Sequence, residues 1–113
     1  MTWVAACPLE QIARDTGVCA RVGGQQVAVF RLRDGRLFAL HNRDPLSGVN
    51  VLSRGIVGDV AGTDVVASPL HKQRFDLATG RCLDADGVAV ATYPVAVRDG
   101  IVHVGLPAQA TRR

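Results

Sequence analysis

The 113-residue chain is short of several things. It has one lysine, Lys72, and one glutamate, Glu10, so arginine and aspartate carry nearly all of the charge. The net charge of +3 comes from basic residues scattered between Arg14 and Arg113, with no dense run and no interleaved aromatics. That pattern argues against nucleic-acid binding. Only Arg31, Arg33 and Arg36 lie close together, which reads as a solvated strand face leading into a turn. No stretch approaches the ~20 consecutive apolar residues of a membrane-spanning helix. The start, MTWVAACPLEQIARD, has neither the early basic residues nor the apolar run of a secretory signal. A cytoplasmic setting is the expectation, with the thiols reduced. Cysteine is scarce as well: Cys7, Cys19 and Cys82 stand far apart, odd in number, with no C-x-x-C pair. This excludes a zinc ribbon or a four-cysteine iron–sulfur site and makes a disulfide framework implausible.

What is present is ordinary for a folded chain: 48% hydrophobic and 20% charged residues, enough for one modest core. Glycine is frequent, with twelve residues placed at turns rather than in tracts. Short β-branched runs alternate with turn dipeptides. The run from Gly17 to Val22 precedes Gly23-Gly24; Val27 to Leu32 precedes Asp34-Gly35; Leu37 to Leu40 returns. At the other end, Ala91 to Arg98, Asp99-Gly100 and Ile101 to Val104 repeat the pattern. Asp-Gly is a hairpin signal, and brief strands at this spacing predict an all-β sandwich or partial barrel. Pro8 to Arg14 supports at most one helical turn before Thr16-Gly17. There is no internal repeat, low-complexity segment or linker, and the tail, residues 107–113, reads as polar and frayed. Trp3, Phe30, Phe38, Phe75 and Tyr93 are expected in the core, Cys82 as a small buried residue in a strand, and His103 as structural.

The middle of the chain differs. Residues 41–62 are rich in Gly, Asp, Asn and Ser and contain Asn42-Arg43-Asp44-Pro45-Leu46-Ser47-Gly48. A second loop, Ala67-Ser68-Pro69-Leu70-His71-Lys72-Gln73-Arg74-Phe75, follows the apolar pair Val65-Val66. Loops of this size on a small β scaffold commonly carry function or an interface.

Three chemical readings of these loops are weak. His71 with His41 and Asp44 would make a two-histidine, one-carboxylate iron site, but nothing in the spacing fixes the three together. Ser68, His71 and Asp76 suggest a hydrolase, yet there is no G-x-S-x-G elbow and no helix after the serine. Gly55, Gly58 and Gly62 match neither a P-loop nor a dinucleotide fingerprint, and read as turns in an extended loop. Asp44-Pro45 and Ser68-Pro69 fit turn chemistry, in which Asp and Ser side chains bond nearby backbone N–H groups and Pro fixes φ.

The frame S-P-L-H-K-Q-R-F-D-L-A-T-G-R-C-L, from Ser68 to Leu83, resembles the second half of a Rieske [2Fe–2S] motif, and N-R-D-P-L-S-G takes the place of the first half. The resemblance covers nearly the whole chain. It puts Asp44 at the first cysteine position, Leu46 at the first histidine, Ser68 at the second cysteine and His71 at the second histidine. A Rieske centre needs two thiolates and two imidazoles, so only His71 is a competent ligand. The phrases at Asn42–Pro45, Val51–Asp59, Ser68–Gly80 and Cys82-Leu83 are together similar to the small subunit of assimilatory NAD(P)H-dependent nitrite reductase.

That resemblance implies an all-β, Rieske-like domain over residues 1–113, with a two-loop lobe at about 42–80 where a cluster-binding subdomain would be. It implies no catalytic residue, cofactor or metal in this chain. It implies one partner, a large subunit carrying FAD, an iron–sulfur cluster and sirohaem, and no membrane or nucleic-acid partner. Asp44 and Ser68 are expected to hold the loops by hydrogen bonds in place of metal bonds. Arg43, Asp44, Arg54, His71, Lys72 and Arg74 are the candidates for the contact face. The competing readings are a Rieske-type electron carrier with non-standard ligands and a free-standing regulatory binding module.

Overall fold

The computed structural model describes residues 1–107; residues 108–113, most of the expected frayed tail, lie outside the described residues. Ten strands form three antiparallel sheets. The first sheet has β1 (Thr2–Pro8), β10 (Ile101–Leu106) and β9 (Val95–Arg98), in that order. The second has β2 (Thr16–Val22), β3 (Gln25–Arg31), β4 (Leu37–His41) and β8 (Thr92–Tyr93). The third has β5 (Ile56–Val60), β6 (Thr63–Ala67) and β7 (Arg74–Asp76). The all-β expectation holds; the only helical pieces among the described residues are single 3-10 turns at Leu9–Gln11 and Leu52–Arg54.

β3 explains how so short a chain supports two cores. Alternate side chains of a strand point to opposite faces. Val27 and Val29 face a first core with Ile12, Val22, Ala39, Val102 and Val104. Ala28 and Phe30 face a second core with Leu40, Leu52, Val66, Phe75 and Leu77. The first core joins the two terminal-segment sheets, and the second seats the β5–β7 lobe on the scaffold. β3 is therefore apolar on both faces, the pattern of a strand covered on both sides.

The turns follow residue chemistry. Gly23-Gly24 (φ 58° and 79°), Ala61-Gly62 (50° and 90°) and Asp99-Gly100 (55° and 77°) each put two positive φ values between paired strands. That is the primed turn whose twist suits a two-residue hairpin. Asp34-Gly35 differs from the expected tight turn. Leu32 N–H donates to Arg36 O at 2.9 Å and Gly35 N–H to Leu32 O at 2.9 Å, giving a longer loop with Gly35 at φ 96°.

Several sequence expectations need correction. β1 has an Ala-Ala-Cys centre and no alternation, so it reads poorly as a strand; β10, almost a chain length away, supplies its partner. Trp3 is 46% exposed on the outer face of that sheet rather than in the core, whereas Phe30 and Phe75 are fully buried and Phe38 and Tyr93 half-buried. Residues 56–60 are strand β5, so Gly58 lies within a strand rather than a turn. Pro94 divides the expected run from Ala91 to Arg98 into β8 and β9. Cys82 is half-buried at an isolated bridge to Phe75, outside any strand, and all three cysteines are free. The lobe's packing runs past Gly80, since Val88 and Val90 join the second core and Cys82 N–H donates to Val88 O.

Candidate functional site: two locked loops

The first loop leaves β4 through Asn42, which is 1% exposed. Its Nδ2 donates to Gln26 Oε1 at 3.1 Å, and its Oδ1 accepts Ser53 N–H at 2.7 Å. Its backbone N–H donates to Gln26 O, and its carbonyl accepts Leu52 N–H, both at 3.0 Å. Asn42 thus ties both ends of the loop to the β2–β3 hairpin.

One turn then recurs three times in a chain whose sequence shows no repeat. In Asp44–Val49, Asp44 N–H donates to Val49 O at 2.9 Å and Gly48 N–H to Asp44 O at 2.7 Å, while Asp44 Oδ1 accepts Leu46 N–H at 2.9 Å. In Ser68–Gln73, Ser68 N–H donates to Gln73 O at 2.8 Å and Lys72 N–H to Ser68 O at 3.0 Å, while Ser68 Oγ accepts Leu70 N–H at 3.3 Å. Asp76–Arg81 repeats the scheme, with Asp76 Oδ1 accepting Ala78 N–H at 2.8 Å. The fifth residue is left-handed each time: Gly48 (φ 76°), Lys72 (62°) and Gly80 (79°). This is a four-residue hairpin loop built on a first-residue side chain that caps its own turn. Asp-Pro-Leu and Ser-Pro-Leu open the first two copies, and Pro at the second position presets φ.

The two Pro-Leu turns are joined at their first residues. Ser68 Oγ–H donates to Asp44 Oδ2 at 2.6 Å, with Asp44 0% and Ser68 1% exposed. Burial alone would raise the Asp44 pKa. The bonds from Ser68 Oγ–H and Leu46 N–H, with help from Ser47, outweigh it and hold the carboxyl below its ordinary range. Asp44 is therefore an ionised, fully bonded carboxylate that ties loop to loop, a short charge-assisted contact.

The other sequence candidates are dispersed. His71 is exposed, and its side chain makes no hydrogen bond to another described residue. Ser68 Oγ spends its proton on Asp44 rather than facing His71, and the hydrolase grouping does not assemble. No group of three or more His, Cys, Asp or Glu among the described residues is placed to hold a metal, so His41, Asp44 and His71 do not converge. Within the expected contact face, Asp44 is corrected to a buried tie. Arg74 is also engaged internally: its Nη2 and Nε reach Asp84 Oδ1 at 2.7 Å and Oδ2 at 3.1 Å, holding that carboxyl at about 2. Arg43, Arg54 and Lys72 are exposed and form no ion pair among the described residues. Sequence reasoning named Leu46, 41% exposed, only as a lost ligand position and passed over Leu70, 46% exposed; they are the third residues of the two joined turns. The Pro-Leu pair that follows both Asp44 and Ser68 was the available signal.

The pattern of known proteins agrees with this geometry. The family description "Rieske-like [2Fe-2S] domain" matches residues 2–105. The nitrite reductase (NADH) small subunit of Salmonella typhimurium is 43% identical over 103 residues, covering 90% of this chain and 95% of that protein. The chain belongs to the nitrite reductase small subunits. A solved structure from Mycobacterium tuberculosis, described as a putative NADH-dependent nitrite reductase small subunit, superposes with a TM-score of 0.91 at 44% identity. It covers 96% of this chain and 97% of that one. The large subunit of nitrite reductase [NAD(P)H] from Klebsiella oxytoca is 47% identical over 103 residues, which are 91% of this chain but only 11% of that protein.

The wider Rieske-like family implies a [2Fe–2S] cluster, and the residues of this family member do not fit one. The positions that the resemblance gives to the two thiolates hold Asp44 and Ser68, which are bonded to each other at 2.6 Å. Leu46, at a position the resemblance gives to an imidazole, has no donor atom, and His71 stands on an exposed turn. Two hard oxygens already bonded to each other, one hydrocarbon and one imidazole do not make the thiolate and imidazole set that such a cluster requires.

Proposed function

We propose that this chain is the small, cofactor-free accessory subunit of a cytoplasmic NAD(P)H nitrite reductase. Its partner is a large subunit that carries FAD, an iron–sulfur cluster and sirohaem, and reduces nitrite to ammonium with six electrons. The observation that carries this reading is the Klebsiella oxytoca relative, whose large subunit contains a stretch 47% identical to 91% of this chain. There, a domain like this one is covalently part of the large chain. A separate polypeptide of the same kind has the rest of that chain as its natural neighbour.

The chain's own groups support contact rather than chemistry. The Asp44–Ser68 bond takes over the mechanical task that metal bonds would perform, holding two loops in one shape. No redox step runs through this lobe. Arg43, Arg54, His71 and Lys72 are the exposed polar part of the contact face, and such charges set association rate and register more than affinity. No described helix is long and apolar enough to cross a membrane.

Co-expression of a tagged copy with its large subunit tests the reading. The expected result is a stable complex, and a colourless small subunit without stoichiometric iron or sulfide when purified alone. A chain that never co-purifies and leaves nitrite turnover unchanged would be a free-standing module. A reddish preparation would make it an electron carrier.

A further inference from the structure

We infer that Leu46 and Leu70 are paired hydrophobic anchors that seat this chain on the large subunit, in an apolar hollow rimmed by carboxylates. The inference rests on the proposed partnership and names the part of the surface that makes it.

The two leucines hold matching positions. Each is the third residue of a turn whose first side chain accepts that leucine's own N–H: Leu46 N–H to Asp44 Oδ1 at 2.9 Å, and Leu70 N–H to Ser68 Oγ at 3.3 Å. The same two side chains are bonded to each other at 2.6 Å beneath the tips. A single exposed leucine is unremarkable. Here two are presented by backbones tied to one buried bond, each side chain over 40% exposed, with Val49 (46%) closing the first turn. A mount fixed before docking loses little conformational freedom on docking, so its apolar area is available for affinity.

The rim identifies the chemistry of the occupant. Arg43 precedes Asp44 and reaches over Gly48 of the first turn, and Lys72 is the left-handed fifth residue of the second. Neither is ion-paired among the described residues, and the acidic group between the turns, Asp44, is buried and consumed by Ser68. An apolar centre within an uncompensated basic rim suits a surface with an apolar centre and an acidic rim. The Klebsiella oxytoca relative, with a similar stretch inside the large chain, makes the large subunit the surface that supplies it. A second exposed apolar region, around Trp3, Val97 and His103, forms a hollow of about 240 Å³ on the outer face of the terminal sheet. Arg98 is the one cation lining it, and no locked turn presents it, so it serves as the internal control.

The test is titration of purified large subunit with four forms of the chain: wild type, Leu46→Asp/Leu70→Asp, Leu46→Ser/Leu70→Ser and Trp3→Ser. The double aspartate form should bind about 100-fold more weakly and the double serine form about 10-fold, as buried interface anchors do. Trp3→Ser should bind like wild type, and all four should melt alike, because the altered side chains are exposed. Double variants that melt normally and bind within about threefold of wild type, a scale too small for anchors, would overturn the inference. Loss of binding in Trp3→Ser alone would move the interface to the terminal sheet. A chain that dimerises by itself, and that the aspartate pair returns to monomer, would assign the tips to a second copy and overturn it too. No binding by the wild type would instead remove the proposed partnership beneath it.

Discussion

The β3–β4 corner and the paired-loop end each carry several cations, and they use them in opposite ways. At the corner, Arg31 donates to Ile12 O at 3.1 Å, and Arg33 meets Asp15 at 3.2 Å. Arg36 bridges Asp34 and Asp64, both at 2.8 Å, with its guanidinium 5.8 Å from the centre of the Phe38 ring. The open cleft there, about 450 Å³, is lined by Asp15, Arg33, Arg36, Asp59 and Asp64, so charges of both signs share it. At the loop end, Arg43, Arg54 and Lys72 have no carboxylate partner among the described residues, and the leucines beside two of them are exposed. At the corner the exposed arginines, Arg33 and Arg36, are matched by the chain's own carboxylates. The loop end combines matched interior bonds with unmatched exterior cations, which is why it is the proposed contact face.

The largest break in this contrast should come from beneath the loops. Phe75 is 0% exposed and packs with Phe30, Leu52 and Leu77 under the lobe. Phe75→Ala should cost about 3–5 kcal/mol in a urea titration, as large-to-small core substitutions do. A loss below about 1 kcal/mol would mean that the lobe does not depend on this core.

Ser68→Ala comes next. It leaves a buried carboxylate without its shortest bond, a loss of about 1–3 kcal/mol with metal content unchanged. Asp44→Ala should cost a similar amount, and the double variant no more than about the larger single one, since each removes the same bond. Additive losses would show that the two residues act separately.

Acid should expose the same bond. The Asp44 pKa is lower in the folded chain than its ordinary value of 3.8, so its contribution is complete above that value. It is lost as pH falls through the depressed folded value. Stability of the wild type should therefore drop below pH 3.8 more steeply than that of Asp44→Asn. Parallel curves would deny Asp44 this role.

The smallest effects should lie at the two surfaces and differ in kind. Arg33→Gln at the corner should leave both melting and complex formation unchanged, because exposed ion pairs contribute little. Arg43→Glu with Arg54→Glu should also leave melting unchanged, yet slow association with the large subunit by about tenfold and weaken its salt dependence. Equal effects on association from the corner and the loop end would erase the distinction between them.

Much of this architecture was legible in the residues. The Gly23-Gly24 and Asp99-Gly100 hairpins and the run that becomes β3 follow from local chemistry and spacing, whereas the degenerate ligand positions come from the family resemblance. β1 was not legible because its centre is Ala-Ala-Cys and its stabilising partner is β10. β5 was hidden because Gly55, Gly58 and Gly62 look like loop residues until Ala61-Gly62 is seen to close a hairpin. Trp3 illustrates a limit of composition: its size suggests a core residue, and its register opposite Gly105 turns it outward. At the site, the bonds from Leu46 N–H to Asp44 and from Leu70 N–H to Ser68 were readable from turn chemistry, but the bond between Asp44 and Ser68, 24 residues apart, was not. Which cations were already paired was not, since Arg74's partner, Asp84, lies ten residues away across a turn.

The central claim is that this chain keeps the shape of an electron carrier, holds its loops with a hydrogen bond, and acts by contact. The most direct test is NAD(P)H-dependent nitrite reduction by the large subunit with and without this chain, with iron assayed in the added small subunit. The account predicts that turnover or complex stability increases on adding a chain free of stoichiometric iron. No change on addition, or an increase only when the added chain carries iron, would contradict it.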